Sequence, residues 1–276
     1  MDTDGIVLDG PMGTQLGERG VPIPAPGWSA YALETHPDVI AAIHFDYVRA
    51  GADVHRTNTF RTQPHVFPDR WRKLITTAVQ IARKSVPADV AGSIAPYADC
   101  YRPDLFPGEG EARLCHRAVA RALAEEGVDL LVCETFPHAL EARIAVEEAS
   151  STGIPTWAAL TAGPDGSLMT PEAMEKAARD CVSAGAAAVL VCCTAATKTL
   201  AYVERLAKIG VPFGAYANAG EPSDGLGFGV DGAAEKYAAI AKTWIDAGAM
   251  IVGACCGTGP DHIAKIRLRG SSVAPR

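Results

Sequence analysis

The 276-residue sequence has no excess of positive charge and no long apolar run, and each absence excludes a class of protein. Its 25 lysines and arginines are outnumbered by 32 aspartates and glutamates, which gives a net charge of -7. Proteins that bind DNA or RNA usually present a basic stripe to the phosphates, so we expect no nucleic-acid partner. The longest apolar run, residues 184–193, is far shorter than the roughly 20 residues that span a bilayer, so we expect no membrane span.

The first residues also lack the features of a secretory signal. Met1–Asp4 is acidic and is followed at once by a strand-like pattern, without a basic region or an apolar core. We therefore expect a cytoplasmic protein. In that compartment the eight cysteines are expected to be free thiols, metal ligands or buried small side chains, and not disulfides.

Short β-branched runs alternate with stretches of helical periodicity along the whole chain. This alternation is typical of a parallel sheet, in which a helix connects each strand to the next. The eight predicted strands are Gly5–Asp9, Ala52–Arg56, Val90–Ile94, Val128–Val132, Thr156–Leu160, Ala188–Cys192, Phe213–Tyr216 and Met250–Gly253. The predicted helices cover residues 37–50, 71–85, 112–126, 138–152, 171–184, 198–209, 233–247 and 260–268.

Eight βα units predict an α/β protein with a closed (β/α)8 TIM barrel, forming a single domain over residues 1–276; such barrels typically have about 250 residues. An open, doubly wound sheet is the alternative fold. The turn after the first strand, residues 9–14, lacks the G-x-G-x-x-G spacing of a dinucleotide-binding sheet, which favours the barrel. Active sites of barrels lie where the strands end, so residues at the strand ends are the candidates for chemistry.

Three cysteines stand at two of these strand ends. Cys193 follows the sixth predicted strand, and Cys255 and Cys256 follow the eighth. Three thiolates make a zinc site with one coordination position left open, and a substrate can bind and react at that position. Strand alternation sends Cys192 and Cys193 to opposite faces, so we expect only one of them to enter the site unless the strand breaks there.

The adjacent pair, Cys255 and Cys256, faces one metal ion only if the backbone leaves strand geometry at that point. Gly253 and Gly257 flank the pair and are predicted to supply the necessary conformational freedom.

The other cysteines and the histidines are predicted to have no role in the site. Cys100, Cys115, Cys133 and Cys181 lie on loop or helix patterns without metal-ligand spacing, so we interpret them as structural. The seven histidines form no recognisable ligand cluster in the sequence. His55, inside the second predicted strand, is interpreted as a structural histidine with its hydrogen bonds satisfied.

The successive motifs of the chain resemble those of the homocysteine S-methyltransferase family. They are Asp9–Thr14, Ala50–Asp53 with Thr57–Phe60, Glu134–Phe136, Cys193–Thr194 and Cys255–Thr258, and they run in order through nearly the whole chain. The resemblance implies a zinc-dependent barrel that methylates the thiol of homocysteine to give methionine, with small molecules as its partners; we make no prediction of oligomeric state. It implies that the Zn²⁺ ligands, catalytic through the ion they hold, are Cys193, Cys255 and Cys256. It implies amino-acid-binding roles for Asp9, Gly10, Asn58, Glu134 and Thr135.

The chemistry explains the need for such residues. A free thiol is mostly protonated at neutral pH, whereas a thiol bound to zinc is a thiolate and therefore a nucleophile. The methyl group then moves by in-line displacement from a positively charged donor, which requires no general base. Trp28–Ala30, followed by His36–Pro37, resembles the branch that uses S-methylmethionine or S-adenosylmethionine, which favours a sulfonium donor. Betaine-type donors, and acceptors such as selenohomocysteine or another small thiol, stay open.

Two positions depart from the family pattern. Cys192 stands where the family usually has asparagine, which changes the neighbourhood of the presumed metal. Arg56 adds an unusual charge just before the Thr57–Phe60 motif, beside the presumed substrate pocket.

Two hypotheses from other functional classes also stay open. The first is a non-catalytic barrel that senses zinc or a thiol; Asp9 and Glu134 beside the cysteines favour an amino-acid pocket over this reading. The second is a redox enzyme in which Cys255 and Cys256 form a strained disulfide.

Overall fold

Eight parallel strands form the centre of the protein, as seen in a computed structural model that describes residues 5–266. They are β1 (Ile6–Val7), β2 (Val54–Arg56), β3 (Asp89–Ile94), β4 (Leu130–Phe136), β5 (Thr156–Leu160), β6 (Ala188–Ala195), β7 (Phe213–Asn218) and β8 (Ile251–Ala254). The sheet order is β1-β8-β7-β6-β5-β4-β3-β2, and every pairing is parallel. The predicted (β/α)8 barrel is confirmed.

Helices surround this barrel. They are α1 (Met12–Glu18), α2 (Ala32–Thr35), α3 (Pro37–Ala50), α4 (Trp71–Ser85), α5 (Glu109–Glu125), α6 (Ala139–Ser150), α7 (Pro171–Ser183), α8 (Ala196–Leu206), α9 (Ala233–Asp246) and α10 (Pro260–Lys265). The eight predicted helices correspond to α3–α10, whereas α1 and α2 were not predicted. The acidic start at residues 1–4 and the predicted end of the last helix, residues 267–268, lie outside the described residues. Among residues 5–266 there is no helix whose length and apolar character would let it cross a membrane.

The barrel closes at a seam between β1 and β2. A single parallel bridge joins Leu8 to Val54, and the Asp9 amide donates to the Val54 carbonyl at 3.1 Å. The Asp53 side chain continues the seam by accepting from the Val7 amide at 2.8 Å. Side chains thus replace part of the main-chain ladder at this seam.

The core has two layers because alternate residues of a strand point to opposite faces. In β6, Leu190 and Cys192 belong to the cluster inside the barrel, and Val189 and Val191 belong to the larger cluster between strands and helices. Every residue of β6 is buried, as expected for a parallel strand covered on both faces.

Four strands, β4, β6, β7 and β8, end later than predicted, and the extensions of β4 and β6 contain candidate site residues. β4 continues through Glu134 and Thr135, and β6 continues through Cys193, because parallel pairing resumes beyond an irregular residue in each. The register shifts lie between Glu134 and Phe136 and between Cys192 and Ala195. The predicted ends of β4 and β6 were therefore wrong, because the candidate residues lie inside these strands and not after them.

Candidate active site

A cavity of about 360 Å³ opens at the end of the barrel where the strands finish. This is the face on which barrel enzymes carry their active sites. The cavity is lined by all eight residues that the sequence pointed to, which are Asp9, Gly10, Asn58, Glu134, Thr135, Cys193, Cys255 and Cys256. Residues up to 247 positions apart in the chain, such as Asp9 and Cys256, meet there because the strand ends converge.

One side of the cavity is formed by Cys193, Cys255 and Cys256, and we call it the sulfur wall. β8 ends at Ala254, so both adjacent cysteines lie beyond the strand. Gly257 has a φ of 79°, a left-handed conformation that turns the chain sharply after them. Cys255 is buried and Cys256 is exposed, and their Sγ atoms are 3.9 Å apart. The pair therefore leaves strand geometry, as predicted.

Gly253 has a different role from the predicted one. It lies inside β8, and its φ is not left-handed. A Cβ atom at this position would stand 2.7 Å from the Leu8 Cβ, so glycine lets β1 and β8 pack closely. The conformational freedom at the cysteine pair is supplied by Gly257.

Left-handed backbone also marks β4 and β6 at the cavity. Thr135 has a φ of 64° and Cys193 a φ of 49°. Such conformations cost about 1–3 kcal/mol for residues other than glycine and are concentrated at functional sites. The break in β6 exposes Cys193 to the cavity, while Cys192 stays in the core inside the barrel.

Hydrogen bonds hold Cys193 in this conformation. The Asn218 side-chain amide donates to the Cys193 carbonyl at 2.9 Å, and the Thr161 hydroxyl donates to the same oxygen at 3.4 Å. The Thr135 Oγ1 lies 3.4 Å from the Cys193 Sγ and 3.7 Å from the Cys192 Sγ. An amide from β7 thus supports the cysteine, although Cys192 replaces the asparagine expected beside it.

The three thiols are electrostatically linked. Hydrogen bonds with Cys193 and Cys255 hold the pKa of Cys256 well below the usual value of a thiol. Contacts with Cys192, Cys255 and Cys256 raise the pKa of Cys193. The three thiols therefore influence one another's ionisation.

Charged side chains also line the cavity, and we call the group Asp9, Arg56 and Glu134 the charged wall. The Arg56 Nε donates to Asp9 Oδ1 at 2.7 Å, and its Nη1 donates to Glu134 Oε2 at 2.9 Å. The Arg56 main-chain amide also donates to Asp9 Oδ2 at 2.9 Å, across the barrel seam. Arg56, flagged from the sequence as an unusual charge, joins the two carboxylates predicted to bind substrate.

Polar neighbours complete the charged wall. Glu134 accepts from the hydroxyl of Ser93 through Oε1 and from that of Tyr216, at 3.0 Å, through Oε2. The Arg56 guanidinium lies over the Tyr216 ring, 4.6 Å from its centroid. Burial raises the pKa of Asp9, and the charge of Arg56 opposes that shift.

The two other predicted amino-acid-binding residues are held by the protein itself. The Gly10 carbonyl accepts from Arg56 Nη2 at 3.3 Å. The Asn58 amide donates to the Ser29 carbonyl at 2.8 Å and accepts from the Ser29 hydroxyl at 2.6 Å. Asn58 therefore fixes the segment that carries Trp28, which also lines the cavity.

Several cavity residues were not predicted from the sequence. Cys100 and Tyr101 reach the cavity from the connection between β3 and α5, so Cys100, which we interpreted as structural, is part of the cavity lining. Ser93 lies inside β3, and no motif marks it. Of the other cysteines, Cys133 is buried in β4 and not on a loop or helix as predicted.

The histidines also required a correction. Among residues 5–266, Asp9, His44 and His55 are the one group of three whose potential ligand atoms all lie within 4.8 Å of one another. His44 is on α3 and packs against His55, whose ring therefore faces the helices and not the barrel interior. Within the described part of the chain neither ring has a hydrogen-bond partner, so the expectation of a satisfied His55 was wrong. Burial lowers the pKa of His44 to about 3.

The sulfur wall has the donor set for a thiophilic metal. Two thiolates bound to one tetrahedral zinc at bonds of about 2.3 Å lie about 3.8 Å apart, close to the separation of the Cys255 and Cys256 sulfurs. The three sulfurs do not all lie within 4.8 Å of one another, so Cys193 must move closer to the Cys255–Cys256 pair for all three to bind one ion. In the histidine group, by contrast, both Asp9 oxygens already accept from Arg56.

Both the sequence and the fold of the chain are similar to those of known methyltransferases. The family model described as homocysteine S-methyltransferase matches residues 6–269. A homocysteine S-methyltransferase of Bacillus subtilis is 33% identical, with 97% of this chain and 95% of the relative covered. A selenocysteine methyltransferase of Astragalus bisulcatus is 28% identical over 98% and 94%. The metallated crystal structure of the Escherichia coli homocysteine methyltransferase MmuM matches with a TM-score of 0.79 and 28% identity, covering 96% of each chain.

Proposed function

Because this chain belongs to the homocysteine S-methyltransferase family, we propose that it moves a methyl group from a small onium donor to homocysteine whose thiolate is bound to zinc. The proposed zinc ligands are Cys193, Cys255 and Cys256. The favoured donors are the sulfonium compounds S-methylmethionine and S-adenosylmethionine, and the product is methionine.

The observation that carries the proposal is the meeting of three thiols and a charged wall in one cavity. Sulfur ligands suit zinc, and three of them leave one coordination position for a substrate thiol. Because the exposed Cys256 faces the open cavity, a substrate can reach this position. The charged wall supplies partners for an α-amino-acid group in the same space.

A bound zinc ion supplies acidity, so that the acceptor thiol is ionised at neutral pH. The protein residues then orient the acceptor and keep its sulfur in line with the methyl carbon of the donor. A new sulfur–carbon bond forms while the carbon–sulfur bond of the sulfonium breaks, and the donor leaves as a neutral thioether. Neither a covalent enzyme intermediate nor a general base is required. Positioning of this kind accounts for roughly 7–11 kcal/mol of barrier in favourable reactions.

The donor side of the cavity contains aromatic and apolar surface. Trp28 and Phe60 line the cavity, and their rings stack with centroids 6.2 Å apart. Met12 and Ile23 lie in the same lining. Aromatic faces attract cations, and the Arg61 guanidinium already lies 4.6 Å from the Trp28 centroid and 5.3 Å from the Phe60 centroid. Any ring face left open to the cavity favours a positively charged donor. Betaine-type donors share this charge and form the alternative.

The decisive experiment is a panel of donors with homocysteine and zinc-loaded protein, scored by the methionine formed. We expect turnover with S-methylmethionine or S-adenosylmethionine and one zinc per chain. Cys255→Ser and Cys256→Ser should lose zinc and activity together, whereas Cys115→Ser, on α5, should keep both. A metal-free protein with a reducible bond between Cys255 and Cys256 would favour the redox enzyme instead.

A selenol acceptor is a second candidate, supported by the relative named selenocysteine methyltransferase. The same panel tests it when selenocysteine or selenohomocysteine replaces homocysteine. Zinc and homocysteine binding without methylation by any donor would support the sensor hypothesis and overturn the proposed activity.

A further inference from the structure

Arg61 is a buried cation for which the described chain supplies no acidic partner. The residue is 5% exposed, and within residues 5–266 it forms no ion pair. Buried charges are normally paired, because their removal from water is costly. Burial lowers its pKa, whereas the charges of Cys100, Asp99 and Glu141 oppose this shift. An arginine stays protonated at neutral pH, so one positive charge lies uncompensated inside the protein.

The hydrogen bonds of the Arg61 guanidinium use only one of its three nitrogens. The Nη1 group donates to the Ala98 carbonyl at 2.6 Å and to the Pro96 carbonyl at 3.5 Å. The Nε atom is buried without a partner, and among the described residues none accepts from Nη2. The Nε and Nη2 N–H groups leave one edge of the guanidinium in the same direction, and such a pair binds a carboxylate through two parallel hydrogen bonds. The unused edge is therefore the one that suits a carboxylate.

This cation lies next to the aromatic rings on the donor side of the cavity. Its guanidinium is 4.6 Å from the Trp28 centroid and 5.3 Å from the Phe60 centroid, and both rings line the cavity. Trp28 has a φ of 46°, a strained conformation for a residue other than glycine. The fold therefore keeps the two rings and the cation together in spite of backbone strain and an unpaired charge.

The proposed donors share a group that suits such a cation. S-methylmethionine, S-adenosylmethionine and betaine differ in their onium groups, but each of them has a carboxylate. A donor that carries positive charge alone is repelled by Arg61, and water screens this repulsion little because the residue is buried. The charge on the donor side therefore favours donors in which a carboxylate accompanies the onium group.

We propose that Arg61 binds the carboxylate of the methyl donor through its unused N–H groups, and that it selects onium donors with a carboxylate over those without one. This inference rests on the proposed function and adds a residue that determines donor specificity. Nη2 makes the first contact, because Nε is buried. The onium group is then left to lie over the cavity-lining rings, on the way to the acceptor sulfur.

A purely structural role is the competing explanation. Arg61 holds the connection between β3 and α5 through the Pro96 and Ala98 carbonyls, and this connection carries Cys100 and Tyr101 to the cavity. A defect in this connection weakens all donors alike, whereas loss of a carboxylate-binding group weakens only donors that have a carboxylate. The test must therefore compare donors and not only measure activity.

The wild-type protein provides the first comparison, with zinc-loaded protein and saturating homocysteine. S-methylmethionine is compared with (3-aminopropyl)dimethylsulfonium, which keeps the ammonium and the sulfonium but lacks the carboxylate. We expect kcat/KM to fall by about tenfold or more without the carboxylate, as for loss of a hydrogen bond between charged groups. S-adenosylmethionine and its decarboxylated form make the same comparison. Equal use of the donors with and without a carboxylate would overturn the proposal, whether or not any variant folds.

The variant Arg61→Gln provides the second comparison. We expect KM for S-methylmethionine to rise by about tenfold or more, while kcat and the KM for homocysteine change little. For (3-aminopropyl)dimethylsulfonium we expect no loss, because the variant removes a charge that repels this donor. Arg61→Lys keeps the charge and should retain part of the affinity for S-methylmethionine. An equal loss for both donors in Arg61→Gln would assign Arg61 a structural role only and overturn the proposal.

A control variant and a binding measurement complete the test. Arg72 also lies over an aromatic ring, 5.0 Å from the Trp71 centroid, but it is exposed and pairs with Glu125, so Arg72→Gln should leave both donors unaffected. Calorimetry without acceptor measures donor binding in the absence of turnover. S-methylmethionine should bind about tenfold more weakly to Arg61→Gln than to wild type. Unchanged binding would overturn the inference, whereas this difference in binding without any methyl transfer by wild type would overturn only the proposed function.

Discussion

The sulfur wall and the charged wall face the same cavity but are built in opposite ways. Cys193 lies at a left-handed break in β6, and Cys255 and Cys256 lie beyond the end of β8. In the charged wall, Arg56 and Glu134 lie on strands β2 and β4 and are hydrogen-bonded to each other at 2.9 Å. Arg56 also donates to Asp9 at 2.7 Å, and Glu134 accepts from Tyr216 at 3.0 Å. The difference shows that the charged wall is held together by hydrogen bonds between buried side chains, whereas the sulfur wall depends on a left-handed residue in β6 and on the chain beyond the end of β8.

The largest expected effect is loss of chemistry without loss of the fold. Cys256→Ser removes an exposed thiol from the sulfur wall, so we expect methyl transfer to fall on the order of a thousandfold, about 4 kcal/mol of transition-state stabilisation. The melting temperature of the metal-free protein should stay within a few degrees of metal-free wild type, because the side chain is at the surface of the cavity. Steady-state kinetics and thermal unfolding measure the two quantities. Retained zinc and activity would remove Cys256 from the site.

The charged wall should show the reverse pattern, in which stability is the main loss. Glu134→Ala leaves Arg56 without one of its buried partners, so we expect the free energy of unfolding to fall by about 3–5 kcal/mol. Urea unfolding measures this change. The exposed ion pair of Lys176 and Asp180 on α7 is the control, and Lys176→Ala should cost less than about 0.5 kcal/mol. Similar losses at both positions would contradict the view of the charged wall as a buried structural unit.

A pH-dependent effect of intermediate size is expected behind the charged wall. Burial lowers the pKa of His44 to about 3, whereas an unfolded histidine titrates near 6.5. The unfolded chain therefore binds a proton first as the pH falls, and stability present above pH 6.5 is lost at about 1.4 kcal/mol per unit towards pH 3.

The variant His44→Leu isolates this contribution. Asp9 acts in the opposite direction, since its raised pKa contributes stability at low pH that is lost as the pH rises, so the difference between wild type and variant is the informative quantity. Between pH 6.5 and pH 5 the wild type should lose about 2 kcal/mol more than His44→Leu, measured by urea unfolding. The surface variant His36→Gln serves as the control. Parallel curves for wild type and His44→Leu would show that His44 does not stay neutral in the fold.

The smallest effect should come from Thr135, which follows Glu134 of the charged wall and contacts Cys193 of the sulfur wall. Thr135→Val keeps the β-branched shape at the left-handed position and removes only the hydroxyl that lies 3.4 Å from the Cys193 sulfur. We expect a loss of less than about 1.5 kcal/mol in stability and less than about tenfold in kcat. A larger loss of zinc affinity than of stability would show that the hydroxyl orients Cys193. Equilibrium zinc competition with a chelator, with thermal unfolding alongside, separates the two.

Much of the fold was predictable because it depends on local patterns. Alternating strands and helices indicated the barrel, and the residues of α3–α10 carried helical periodicity or a proline at the start, as Pro37, Pro171 and Pro260 do. Helices α1 and α2 were missed because they are short and packed into the connection after β1, where tertiary contacts outweigh weak local signals.

The sequence predicted which residues reach the candidate site, but not the backbone geometry that places them there. All eight predicted residues reach the cavity, but the ends of β4 and β6 were placed too early, since nothing in a sequence marks a strand that breaks and then resumes pairing. Cys100 and Tyr101 were missed because loop residues have no periodicity that reveals where they point. The pairing of His44 with His55 joins a helix to a strand across the outer layer, and neither segment alone indicates it.

The sequence by itself was enough to predict the barrel, to identify the family and to single out the three cysteines, because strand ends and motif spacing are local properties. The tertiary structure decided how the charges are arranged. Arg56 stood in the sequence as one unexplained cation, and only the closed barrel places it between Asp9 and Glu134, residues 47 and 78 positions away. Electrostatic interactions depend on distance in space and on exclusion of water, and folding alone sets both.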